Sequence, residues 1–287
     1  MAEASCPASC GELIQGWISG GEKLVSCPID WFSTVEVSSG LASLSNQRPM
    51  MRKALELTLK QLNIPSTESQ QLKIDFHSTI PIAKGMASST ADIAATVAAT
   101  YRYFQCDYIA EHLASLCAQL EPTDSTMFNS LTLFDHNQGI VAAQYGSMTN
   151  LDVLVLESPI QLDTAAYHKM DHRHSLMNSS LKLDTANTDL ADAIKLHNPG
   201  QLGRAATASA VESQVILPKP CFEQLLNIVE KHDLYGLNVA HSGSVVGLLF
   251  DARIHDIEQV IFDMDNQGIR HSYPLFHQCK MVDGGIR

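Results

Sequence analysis

A proline-led loop over residues 81–87, PIAKGMA, runs straight into Ser88, Ser89 and Thr90, and an alanine-rich stretch follows them. Small residues such as Gly85 and Ala87 let the backbone approach an anion, hydroxyls donate to phosphate oxygens or ligate Mg²⁺, and the first turn of a helix offers unpaired N–H groups at the positive end of its dipole. The chemistry indicated is nucleotide phosphate handling. An ordinary helix N-cap has the same composition, so the window alone leaves both readings open. It lacks the Gly-Lys-[Ser/Thr] ending of a Walker loop and the G-x-G-x-x-G of a dinucleotide site.

Other reactive residue types carry less. EPTDS places Glu121 and Asp124 three residues apart around a turn-forming proline, and a helix-ending turn with solvated acids would look the same. Asp135, in LFDH beside Gly139, is a second carboxylate in a turn-like setting. HKMDHRH, residues 168–174, has histidines at i and i+4, but no cysteine is near and the polar segment reads as a solvated face. Cys6 and Cys10 match no zinc spacing and read as small packing residues. His241 reads equally as a substrate contact or a packed histidine, and Lys84 as a phosphate partner or a solvated loop lysine.

Pro81, Gly85, Met86, Ser88, Ser89 and Thr90 resemble the second motif of the GHMP small-molecule kinases, named for galactokinase, homoserine kinase, mevalonate kinase and phosphomevalonate kinase. PASCGELIQGW, residues 7–17, resembles the first motif, and NVAHSGSVVGLLF, residues 238–250, the third. All three stand in family order. The chain departs in having Gly11, Glu12 and Leu13 where sugar and mevalonate kinases carry Gly-Glu-His, and the third motif is poor in glycine. CPASCGELIQG, LEPTDS and AHSGS look most like the L-threonine kinase branch, whose product, O-phospho-L-threonine, feeds cobalamin side-chain synthesis.

The resemblance implies an α+β, two-domain GHMP kinase fold, with a ribosomal-S5-like half over residues 1–148 and a ferredoxin-like half over 149–287. It implies ATP and Mg²⁺ as cofactors, with Pro81, Lys84, Gly85, Met86, Ala87, Ser88, Ser89 and Thr90 around the nucleotide. Ser88, Ser89 or Thr90 would meet the metal together with Glu121, since Mg²⁺ takes oxygen ligands. Asp124 is the candidate base and Asp135 its rival. Glu12, Gln15 and Gly16, with Asp30, Ser242 and Gly243, are the candidates for the acceptor pocket, Glu12 being able to pair an amino group. Homoserine or isoprenoid phosphorylation, and a catalytically silent regulator, are the alternatives.

The elements that must position these residues alternate between strand and helix. Ile93, Val97 and Tyr101 recur at helical spacing behind the hydroxyl cluster. Leu72, Ile74 and Phe76 alternate with polar residues, as in a half-buried strand leading into the loop. Residues 22–37 are broken by Pro28, which predicts two short strands around a turn. Helices are predicted over 52–62, 108–120, 188–197, 202–211 and 221–231, and strands over 152–156 and 245–250. The organisation changes near residue 148.

Composition bounds the rest. With 287 residues and a formal charge of −12 the chain is long enough for substantial cores and repels a nucleic-acid backbone. Seven scattered cysteines without a C-x-x-C pair speak against a disulfide framework. The start, MAEASC, has no leader pattern, and no long apolar run suits a membrane, so cytosol is the expected compartment. Small-molecule substrates are the expected partners, and the oligomeric state is open.

Overall fold

In the computed structural model, which describes residues 1–43, 45, 47–161 and 173–287, the chain opens with a long antiparallel pair, β1 (Ala2–Ile18) and β2 (Gly21–Ser39). From Cys6 to Gly16 every residue of β1 is buried, because helices cover both of its faces. The turn expected at Pro28 does not form. Pro28 lies within β2 opposite Ser9, beside a register shift in β1, so the irregularity absorbs the missing N–H, and its carbonyl accepts from Val282 N–H at 3.0 Å.

Helix α1 (Pro49–Gln61) and β3 (Leu72–Ser78) follow, β3 pairing with the outer part of β2. Helix α2 (Ser88–Tyr103) runs through the centre of the molecule. Its alanines let it lie close against β1 and β2, and Ala91, Ile93, Ala94, Val97 and Ala98 are fully buried. Helix α3 (Ala110–Ala118) is shorter at both ends than its periodicity predicts, and β4 (Leu131–Asp135) and β5 (Ile140–Gly146) form a hairpin beyond it.

After β6 (Asp152–Glu157) come α4 (Arg173–Asn178), α5 (Ser180–Lys195), α6 (Pro199–Ser213) and α7 (Phe222–Lys231). Helix α5 begins eight residues before the predicted 188. Then β7 (Gly236–Val239), β8 (Val246–Phe250), α8 (Ile257–Asn266) and β9 (Leu275–Lys280) complete the chain. Strand order β7-β8-β6-β9, all antiparallel, with helices between β6 and β7 and between β8 and β9, is the ferredoxin-like arrangement.

Among the described residues nine strands join one sheet, in the order β5-β4-β2-β1-β7-β8-β6-β9 with β3 against β2. The two halves meet where Glu12 of β1 pairs with Val239 of β7. One apolar core runs through that seam, holding Leu13, Val97 and Phe134 together with Val153, Leu190 and Leu249. A second lies under α7 and α8 around Leu154, Leu225, Leu248 and Tyr273. No helix among the described residues is long and apolar enough to cross a membrane.

Candidate active site

The loop before α2 is clasped from two sides. Ser9 and Gly11 of β1 donate their N–H groups to Met86 and Gly85 C=O at 3.1 and 3.2 Å, and Ser244 and Val245 donate theirs to Lys84 C=O at 2.9 and 3.1 Å. Gly85 has φ +80°, and a Cβ there would lie 2.3 Å from the Ala240 side chain; a Cβ on Gly243 would lie 2.4 Å from Gly85 Cα. The third motif therefore packs directly under the phosphate loop, glycine against glycine.

Helix α2 opens without a cap. Ala87, in the left-handed region at φ 56°, is the residue before it, no side chain caps it, and its first internal bond is Ala91 N–H to Ala87 C=O. The amides of Ser88, Ser89 and Thr90 stand at the positive end of a sixteen-residue dipole. This separates the two readings of the hydroxyl cluster: none of the three is an N-cap, and the helix end is left for an anion.

A cavity of about 700 Å³ spreads in front of this helix end, lined by Glu12, Gln15, Gly85, Met86, Ala87, Ser88, Ser89, Thr90, Glu121, Asp124 and Ser242. Met50, Ile82 and Leu120 give it an apolar side. Five of the residues that the resemblance places around the nucleotide and the acceptor do not line it. Pro81 stands just before the turn at Ile82 and Ala83, and Gly243 packs beneath the loop. Gly16 faces Leu183 of α5. Asp30 accepts the Lys280 N–H at 2.8 Å, on the far side of the seam. Lys84 turns its ammonium away from the cavity, donating to Ser158 and Ile160 C=O at 2.6 and 3.1 Å, so it straps the loop to the chain after β6.

Asp124 sits at the cavity floor. Ser26 Oγ donates to Oδ1 and Thr90 Oγ1 to Oδ2, each at 3.2 Å, while the Asp124 N–H donates back to Thr90 Oγ1 at the same distance. Thr123 Oγ1 also donates to Thr90 Oγ1, so both lone pairs of Thr90 are taken and it is not free to ligate a metal as the sequence reading grouped it. Burial, then the Glu12 charge, push the Asp124 carboxyl up to about 7, with the Ser26 and Thr90 hydroxyls opposing. Glu121 is also raised, chiefly by burial, and the neighbouring Ser89 hydroxyl opposes that shift. Asp135 lies outside the cavity, where its carboxylate caps a turn by accepting from Asn137 and Gln138 N–H at 3.1 and 2.9 Å.

Glu12, only 5% exposed, accepts from both the backbone N–H and Nδ1 of His241, each at 2.9 Å. Lys219 is equally buried. It donates to Gly243 C=O at 2.9 Å, and burial pulls its ammonium down to about 8 against the opposing Glu12 charge. Sequence reasoning missed Ser26, Lys219 and Ser209, for no local pattern marks a lone serine in a strand or an alanine-rich helix. All seven cysteines are free thiols, and burial raises those of Cys6 and Cys10, as packing residues require. Residues 168–172 of the histidine-rich segment lie outside the described residues.

The comparisons with known proteins bear on the same elements. The family model of the GHMP kinases N terminal domain matches residues 50–130, and that of the GHMP kinases C terminal matches residues 190–265. The chain is 50% identical to an L-threonine kinase of Citrobacter freundii over 286 residues, covering 100% of this chain and 99% of the relative. The chain belongs to the GHMP kinases. An L-threonine kinase of Salmonella typhimurium is 49% identical over 287 residues, covering 100% of this chain and 95% of the relative. In fold, it superposes on the homoserine kinase of Cytophaga hutchinsonii with a TM-score of 0.70 at 13% identity, covering 100% of this chain and 96% of that one.

For a GHMP kinase the donor set suits Mg²⁺. Ser89 and Glu121 bring oxygen atoms together beside the open helix end, and among the described residues no group of three or more His, Cys, Asp or Glu forms a dedicated metal cage. A cation held by one or two protein oxygens and completed by phosphate and water is the usual Mg²⁺ arrangement.

Proposed function

We propose that this GHMP kinase transfers the γ-phosphoryl group of ATP to the side-chain hydroxyl of L-threonine. The observation that carries the reading is the shared cavity: an uncapped helix N-terminus and a hydroxyl-oriented carboxylate face one space. The amides of α2 bind and neutralise triphosphate oxygens. Ser89 and Glu121 would hold Mg²⁺, which would supply positive charge to offset that developed on the transferred phosphoryl group. Asp124, fixed by Ser26 and Thr90, receives the acceptor's hydroxyl proton as the acceptor oxygen bonds to the γ-phosphorus and the bond from that phosphorus to the leaving ADP oxygen breaks. Glu12 pairs with the acceptor's ammonium, and Gln15 lines the same pocket.

The division into residues 1–148, carrying the acceptor and phosphate loops, and 149–287, carrying the third motif, belongs to this proposal. So do a cytosolic location and entry of the product into cobalamin side-chain synthesis. The nearly full-length identity to two L-threonine kinases favours threonine over homoserine, whose kinase is matched in fold alone. Retention of Glu121 and Asp124 in the cavity speaks against a silent regulator.

Turnover with Mg·ATP and a panel of hydroxyl acceptors tests the reading. L-threonine should exceed L-serine in kcat/KM by at least ~10-fold, since a methyl group in an apolar pocket is worth about 1–3 kcal/mol. Equal rates with serine, or turnover of homoserine alone, would remove threonine as the substrate.

A further inference from the structure

Four backbone and side-chain groups run in a line beneath the acceptor pocket. The Gln15 N–H donates to Ser209 Oγ at 3.1 Å, Ser209 Oγ lies 3.4 Å from His241 Nε2, and His241 Nδ1 lies 2.9 Å from Glu12 Oε2. In that contact the carboxylate oxygen accepts and Nδ1 donates. A second donor, the His241 backbone N–H, reaches the same oxygen at 2.9 Å. One residue thus fixes the position of Oε2 by two bonds. Ser209, fully buried on α6, fixes the far edge of the ring.

His241 does not stand alone in its turn. Ser242 lines the cavity, Gly243 packs on Gly85, and the next two amides hold the Lys84 carbonyl. The same short turn therefore grips the phosphate loop with one end and the Glu12 carboxylate with the other.

We propose that His241 is a positioning residue, which holds Glu12 at a set distance from the phosphate loop so that the acceptor's hydroxyl lies in line with the phosphoryl group when its ammonium is paired. The proposal rests on Glu12 as the ammonium partner, as given under the proposed function. In-line transfer between two bound molecules depends on such spacing, because a misplacement of an ångström is enough to lower the rate severely. His241 acts through Glu12 and touches neither ATP nor the reacting atoms.

The test is an isopolar pair at one position. Asn presents an amide N–H near the place of Nδ1, whereas Gln places its amide where Nε2 stood and leaves Glu12 with the backbone donor alone. His241→Gln should lower kcat with L-threonine as well as raise its KM, so that kcat/KM falls by ~10-fold or more, the scale of a hydrogen bond to a charged group, with KM for ATP within ~3-fold of the parent. His241→Asn should recover most of the loss. Combined with Glu12→Gln, His241→Gln should add less than ~2-fold to the effect of Glu12→Gln alone, since a residue acting through Glu12 has nothing left to position. Additive effects, equal losses for Asn and Gln, or an unchanged threonine KM in His241→Gln while Glu12→Gln raises it, would overturn the positioning role alone. If Glu12→Gln itself leaves the threonine KM unchanged, the ammonium reading fails and the role of His241 falls with it.

Discussion

Asp124 combines a raised carboxyl with two fixed hydroxyl partners, and this makes it both reactive and a burden on the fold. Replacing it with Asn keeps the size and one of the two accepted hydroxyl bonds but removes the proton acceptor, so kcat should fall by about 10²–10⁴ with nucleotide affinity little changed. Asp135→Asn, altering only a surface turn, should stay within ~3-fold; a near-normal kcat in Asp124→Asn, or a larger loss at Asp135, reverses the assignment. The same residue sets pH dependence. With burial and the Glu12 charge pushing its carboxyl up to about 7, kcat/KM should rise with pH through that region, and Glu12→Gln should shift the limb to lower pH by removing one of the causes that raise it. For stability the sign is opposite. Because the folded value stands above the ordinary 3.8, the native chain binds more protons than the unfolded one between those limits, and this contribution, complete below about pH 4, is lost as pH rises through about 7. Asp124→Asn should consequently melt a few degrees above the parent at pH 8, the gap narrowing toward pH 4, and a lower melting point at pH 8 would contradict the cause given for the shift. Ser89→Ala and Glu121→Ala should each lower turnover and displace the Mg²⁺ titration at fixed ATP; unchanged metal curves with normal turnover in both would take them out of the site.

At the scale of elements, the approach to α2 is where the sequence is most and least readable. Ile93, Val97 and Tyr101 mark the helix and its start, because a buried face must repeat at helical period. That the end is uncapped could not be read, since Ser88, Ser89 and Thr90 have the composition of a cap and only the backbone shows them inside the first turn. The loop reaches that point through alternating left-handed residues, Ala83 at φ 60°, Gly85 at 80° and Ala87 at 56°. Alanine in that region carries a penalty of about 1–2 kcal/mol, part of which glycine would give back through its larger unfolded-state entropy. Ala87→Gly should therefore raise the urea midpoint by the equivalent of roughly 0.5–1 kcal/mol with an unchanged slope, and a lower midpoint would show that the loop is unstrained. Pro28 illustrates the opposite failure. A proline among β-branched residues reads locally as a break, and only the bulge in the partner strand, a non-local feature, lets β2 continue through it. Position in a motif puts Lys84 and Gly16 near chemistry, and Asp30 joins them as a candidate carboxylate, whereas the directions of their side chains or backbones are decided by β6, β9 and α5, distant in sequence.

For the whole molecule, the two family models match separate stretches, yet the chain does not fold as two separate bodies. β7 hydrogen-bonds to β1 at Glu12, and the larger core takes side chains from both stretches, with Leu183, Leu190 and Leu202 of α5 and α6 packed among those of β1 and β2. Domains that merely touch bury modest, rather polar interfaces and tend to unfold independently. Here the interface is apolar and continuous with the core, and Glu12, the loop before α2 and the third motif all lie on it. Separating the halves would expose the β1 face that α5 and α6 cover and would dissolve the site in the same step. Heating the intact protein should therefore give one cooperative transition, coincident by far-ultraviolet circular dichroism and by fluorescence of Trp17 and Trp31, and saturating Mg·ATP should move the whole curve upward rather than one part of it. A fragment of residues 1–148 should lack that transition and bind a hydrophobic dye, because side chains of β6, α5, α6 and β8, all beyond residue 148, complete its core. Two resolved transitions in the full chain, or a fragment that melts cooperatively by itself, would show that the seam joins two independently stable units, and would then locate the boundary between them.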